Sequence, residues 1–96
     1  MKSLLIGESA SGHLEDAISS AMIDSREVLR VIHLRTMHLG PDELLVAAKV
    51  EIDAPSVADL ARAIDAAEAR VRAAVPIATV IYVEPDVYRS DAVMDR

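Results

Sequence analysis

Three histidines and two acidic pairs are the residues of this chain whose types could do chemistry, and that chemistry would be the holding of a divalent cation. His13 lies beside Glu15 and Asp16, while His33 and His38 share one extended segment. Asp42-Glu43 and the Glu84/Asp86 pair add carboxylates. Imidazole nitrogens and carboxylate oxygens suit borderline and hard cations, provided several converge in an enforced geometry. The odd separation of His33 from His38 puts them on opposite faces of a regular strand. A site therefore needs a second element, or a second subunit, to complete it. A solvated histidine beside a carboxylate is the commoner outcome, and turn solubility or edge-strand protection accounts equally well for the acidic pairs.

Other chemistry finds little footing. No GxGxxG, Walker A, GxSxG, HExxH or CxxC occurs, and the serines fall in no recognisable nucleophile motif, so the chain does not read as an enzyme. With no cysteine there is neither a disulfide framework nor a thiolate metal site. A formal net charge of -6 offers no basic field for nucleic acid. Arg26, Arg30 and Arg35 cluster locally, and a solvated strand edge explains them. The start, MKSLLIGESA, is too short and too polar for a signal peptide or a spanning helix, so direct membrane insertion is not expected.

The elements that must position these residues follow from pattern. Ninety-six residues, 52% of them apolar, suffice for one core but not two. With two Tyr, no Phe and no Trp, that core must be built from Val, Ile, Leu and Ala, and a domain so built gains from dimerisation. Gly7, Ser9, Ser11 and Gly12 mark residues 1–12 as a flexible lead-in. Ser11 can cap a helix over 13–24, with Leu14, Ile18 and Met22 at helical spacing. Val28 to Leu39 reads as a strand, and Gly40-Pro41-Asp42-Glu43 as a turn whose proline argues against the simplest two-residue hairpin. In the second strand, Leu44, Val46, Ala48, Val50 and Ile52 form one face. Ser56 and Asp59 resemble a capping box that opens a helix over 57–75. Its expected stripe is Val57, Leu60, Ala61, Ile64, Ala67, Val71, Ala74 and Val75, with Ile64 packed on Leu44, Val46, Val50 and Ile81. Ala78 to Glu84 is the third strand, stopped by Pro85, and a polar tail follows. A right-handed crossover through the long helix sets the third strand parallel to the second. The predicted architecture is α+β: an αββαβ two-layer sandwich, a truncated ferredoxin-like fold on a three-stranded mixed sheet.

The run LRTMHLGPDELLVAAKVEI, an Ala-rich helix after it, and the closing VIYVEPD resemble the cytoplasmic C-terminal domain of cation diffusion facilitator (cation efflux) transporters. Leu34-Arg35-Thr36, Gly40 at the turn, Val50-Glu51 and Glu84-Pro85 fall in register together, and the likeness covers roughly residues 3–86. SLLIGESA looks like the segment that joins the last membrane helix to this domain. The resemblance implies residues 1–12 as a lead-in from the membrane domain, 13–86 as the cytoplasmic domain and 87–96 as a tail. It also implies a homodimer attached to a parent membrane domain, at the cytoplasmic face of a bacterial inner membrane. Regulatory binding of Zn²⁺ or another divalent transition metal near the dimer interface would accompany it.

The family's ligand positions transfer poorly. Ile32 stands where members carry a histidine before the Leu-Arg step, with His33 one position later. Lys49 and Tyr82 occupy the second-strand and third-strand histidine positions, and Glu84 alone keeps the family's acidic character. Any metal would then use His33 or His38 together with Glu84 or Asp86, and the usual interfacial site should be empty or weak. The expected function is a soluble regulatory and homodimerisation domain of a cation efflux transporter. A free-standing metal-binding protein, or a small-molecule effector module of ferredoxin-like fold, would share the architecture.

Overall fold

The computed structural model describes residues 7–87. Its elements are α1 (Gly12–Met22), β1 (Val28–Gly40), β2 (Glu43–Ile52), α2 (Val57–Ala74) and β3 (Val80–Val87). The sheet order is β1-β2-β3, with β1 antiparallel and β3 parallel to the central β2. This is the expected αββαβ arrangement, a ferredoxin-like α+β fold with both helices on one face of a mixed sheet.

The core forms along one side of β2. Leu44, Val46, Ala48, Val50 and Ile52 are all buried, and every residue between them is only half-buried. Ile18 and Met22 of α1, Ala63 and Val71 of α2, and Val75, Ala78 and Ile81 close over that row. Small aliphatic side chains thus do the packing that aromatics do elsewhere.

α1 is capped as expected, the Ser11 hydroxyl accepting from the Leu14 N–H at 3.2 Å. The cap on α2 differs in detail. Ser56 Oγ accepts from the Asp59 N–H at 3.1 Å, but it also donates to the Asp59 carboxylate at 2.9 Å. Asp is one methylene shorter than the Glu of a full capping box, so its carboxylate meets the Ser56 hydroxyl instead of the Ser56 N–H. That hydroxyl, and then the Arg62 guanidinium bonded to the same side chain, hold the Asp59 carboxyl below its usual range.

Four sequence expectations need correction. The hairpin does close over two residues, since Gly40 pairs with Glu43 across Pro41-Asp42. Among the described residues only Gly7 has a positive φ, so the loop is not a primed turn. Pro41 fits a turn with negative φ, and the register shift between His38 and Gly40 absorbs the mismatch in strand twist. β3 does not stop at Glu84. It runs through Pro85 to Val87, because β3 is an edge strand and a proline there need not break a ladder. α1 ends at Met22 instead of residue 24. Of the expected α2 stripe, Ala67, Val71 and Val75 are buried and Leu60 and Ile64 pack half-buried against the core, whereas Val57 is 82% exposed, Ala61 and Ala74 are exposed, and Ala63, outside that stripe, is buried. α2 is turned toward α1, against which it also packs, and small alanines permit the close approach.

Two polar ties join elements distant in sequence. Thr36, the one buried polar residue among those described, accepts from the Ala10 N–H and donates to the Glu15 carboxylate, both at 2.8 Å. The described part of the lead-in is therefore docked: the Gly7 N–H donates to the His38 carbonyl at 2.7 Å, and the His38 N–H to that of Glu8 at 2.8 Å. Arg70 of α2 donates to the Ala21 and Met22 carbonyls at 2.7 and 2.8 Å. It supplies the positive charge that the last turn of α1 lacks.

Two expectations follow for urea unfolding. Val71→Ala removes buried methyls and leaves a cavity, costing roughly 2–3 kcal/mol. The same change at exposed Val57 should be neutral or stabilising by up to about 0.5 kcal/mol, because alanine is the better helix former. Arg70→Ala leaves two helix-end carbonyls without their charged donor and should cost about 1–3 kcal/mol. Arg70→Lys should recover only part of that, since an ammonium cannot fork between two acceptors as a guanidinium does.

Candidate functional site

The face of the sheet turned away from the helices is covered by no element of the described chain. Which residues it carries is decided by irregularities in β1. That strand spends 13 residues against 10 of β2, and the excess is taken up at three register shifts: Val28/Arg30, Val31/His33 and His38/Gly40. Val31 pairs with buried Val50 and so faces the helices, yet His33, two residues on, pairs with Lys49 and faces out. Ile32 is the inserted residue. From His33 to His38 the pairing is regular, so the two histidines do lie on opposite faces.

The outer face is built in cross-strand rows. At the hairpin end, Met37, Leu45 and Val80 align, followed by Arg35, Ala47 and Tyr82. His33, Lys49 and Glu84 make the third row, and Arg30, Glu51 and Asp86 the fourth. The first row is apolar and the last fully charged. Arg30 Nε bonds the Glu51 carboxylate at 3.0 Å, a cross-strand pair with the arginine largely in solvent. Between the second and third rows lies an open hollow of about 320 Å³, floored by Ala47 and walled by His33, Arg35, Lys49, Tyr82 and Glu84. Ala47 leaves it because its side chain is short between the longer Arg35 and Tyr82.

The sequence-derived candidates thus separate. His33 and Glu84 share a row; Asp86 lies one row further along the same face; His38 lies on the helix side and cannot join them within one chain. Tyr82 is 64% exposed at the edge of the hollow. Arg35, Met37 and Ala47 were not singled out from sequence as members of this face. Their period-two relation to Lys49 was the available signal, but it is usable only once the bulge at Ile32 is known.

A regulatory divalent metal does not fit this donor set. Among the described residues no three His, Asp or Glu side chains come together as a metal-holding group. The half-buried Lys49 ammonium stands in register between the imidazole and the carboxylate that would have to ligate the ion.

An α+β layer with two helices behind it and an uncovered, graded sheet face defines an interaction module, and none of its described helices is long and apolar enough to cross a membrane. Residues 10–86 match the family described as cation efflux protein, cytoplasmic domain, and the chain belongs to that family. Among solved structures it is similar to a histidine-to-alanine variant of the MamM C-terminal domain, at 18% identity and a TM-score of 0.75 over 83% of this chain and 100% of that one. A nickel form of a MamM C-terminal domain variant gives 19% identity and a TM-score of 0.75 over 82% and 100%. A cadmium form gives 19% and 0.74 over 81% and 98%. No curated protein matches the chain.

The register itself is open to test. Lys49→Glu places like charges beside each other on β2 and β3 and should lower stability by up to about 1 kcal/mol. Adding Glu84→Lys should restore most of the loss in urea titrations at low salt, and high salt should shrink both effects.

Proposed function

We propose that this domain is the cytoplasmic, homodimerising part of a divalent-cation efflux transporter, seated at the cytoplasmic face of a bacterial inner membrane and moving no ion itself. Membership of the cation efflux cytoplasmic-domain family supports the transporter assignment. The observation that carries the dimer is the uncovered sheet face. It exposes Tyr82 by 64% and Met37 by 41% beside half-buried Leu45, Ala47 and Val80, on a domain whose core is made of small side chains.

The occupant we assign to this face is a second copy of the chain. Outer-face arginines gather on β1, as Arg30 and Arg35, and the acids Glu84 and Asp86 on β3. A two-fold axis parallel to the strands would lay the β1 side of one copy over the β3 side of the other. Such an isologous contact sets the β1 arginines over the β3 acids and buries the apolar rows. Coupling would then run from the membrane part through the lead-in, whose Gly7 and Glu8 are hydrogen-bonded to β1 at His38. Solved neighbours are titled as nickel, copper and cadmium forms. In this chain His33 and Glu84 share a row but make only part of a donor set, so no metal effector is assigned to this face.

Sedimentation at micromolar concentration should give twice the 10.3 kDa chain mass. Tyr82→Asp and Met37→Asp should each shift it toward the monomer while leaving the far-ultraviolet circular dichroism unchanged. A monomeric wild type, or variants that remain fully dimeric, would refute this reading.

A further inference from the structure

We propose that Lys49 is a fixed-charge occupant of the outer sheet face, standing where a divalent cation would otherwise sit between His33 and Glu84. The face consequently does not take a transition metal, and assembly of the domain through it is independent of metal. The geometry is simple. His33 pairs with Lys49 across the antiparallel ladder, and Lys49 pairs with Glu84 across the parallel one. All three side chains leave the same face, with about 4.8 Å between neighbouring strands. A cation held jointly by the imidazole and the carboxylate would have to lie over β2, at the strand position that carries the Lys49 side chain.

Three further facts bear on the same point. Arg35 stands one row away on the His33 side of the same hollow, so a second permanent positive charge faces any arriving cation. Glu51, on the neighbouring row, is bonded to Arg30 at 3.0 Å and is not a spare ligand. Lys49 is half-buried on the central strand, between the two strands that carry His33 and Glu84. Like charge at this range opposes a dication directly, and a transition metal needs three or four well-placed donors where this row offers two. What the row suits instead is a carboxylate: the ammonium, the imidazole and the Arg35 guanidinium together favour an anionic group from a facing surface. In the proposed dimer the partner copy's acidic β3 side would supply it.

The assembly half of this inference rests on the dimer reading, while the metal half does not. Zn²⁺ titration calorimetry on the full chain, with the folded state checked by circular dichroism, tests the metal half. Wild type should show no stoichiometric site tighter than about 10 µM that depends on His33 or Glu84. Lys49→Met should strengthen binding about tenfold, and Lys49→His about 100-fold, the latter lost again on adding His33→Ala. Tight wild-type binding abolished by Glu84→Gln would overturn the proposal, as would a folded Lys49→His variant that gains nothing. For the assembly half, the dimer dissociation constant in EDTA and in excess Zn²⁺ should agree within about threefold. A dimer formed only with Zn²⁺ overturns the proposal. A monomer under both conditions refutes the dimer reading and the assembly half with it, and the calorimetry still decides the metal half.

Discussion

The burial of one complete side of β2 is the constraint on which the rest of this structure depends. Leu44, Val46, Ala48, Val50 and Ile52 are buried against the helices without exception, so the central strand cannot slip by one residue without turning its whole apolar row into water. Both neighbours are registered to that strand. Once β2 is fixed, the positions of Lys49 and Ala47 on the opposite face are fixed too, and with them the chemistry that face can offer.

The helices are tied to this sheet by few polar contacts, each at a place where backbone groups would otherwise go unpaired. Thr36 joins the lead-in, β1 and α1 in a single chain from the Ala10 N–H to the Glu15 carboxylate. Arg70 closes the carboxyl end of α1 from the neighbouring helix. Among the described residues no buried side-chain nitrogen or oxygen is left without a partner. An apolar core of small residues can pack in several ways, and such directional ties favour one of them.

By the resemblance to cation efflux domains, Lys49 stands at a position where a histidine is expected, and a lysine there changes the local charge in a way that a neutral replacement would not. In the row His33–Lys49–Glu84 the lysine and the glutamate place opposite charges on neighbouring strands, a favourable cross-strand arrangement with no ion added.

By itself the sequence determined the order αββαβ, the inner row of β2, the helix starts at Ser11 and Ser56, and the opposite faces of His33 and His38. Each of these is a short-range property: side-chain alternation, a capping hydroxyl, a regular stretch of strand. Glu84 and Lys49 were legible as neighbours through the resemblance to cation efflux domains, which supplied the register. Tertiary structure alone decided the rest. The bulge at Ile32 turns His33 outward, and nothing in VIHLR marks it, because an inserted residue is stabilised by the pairing strand and not by its own type. The turn of α2 that buries Ala63 while leaving Val57 and Ala61 exposed depends on where α1 lies, since alanine reads as neutral on a helical wheel until a neighbour needs the space. Pro85 could continue a strand only because β3 is an edge, and Arg70 found its role from 48 residues away in sequence. These are long-range contacts, and a local pattern carries no record of them.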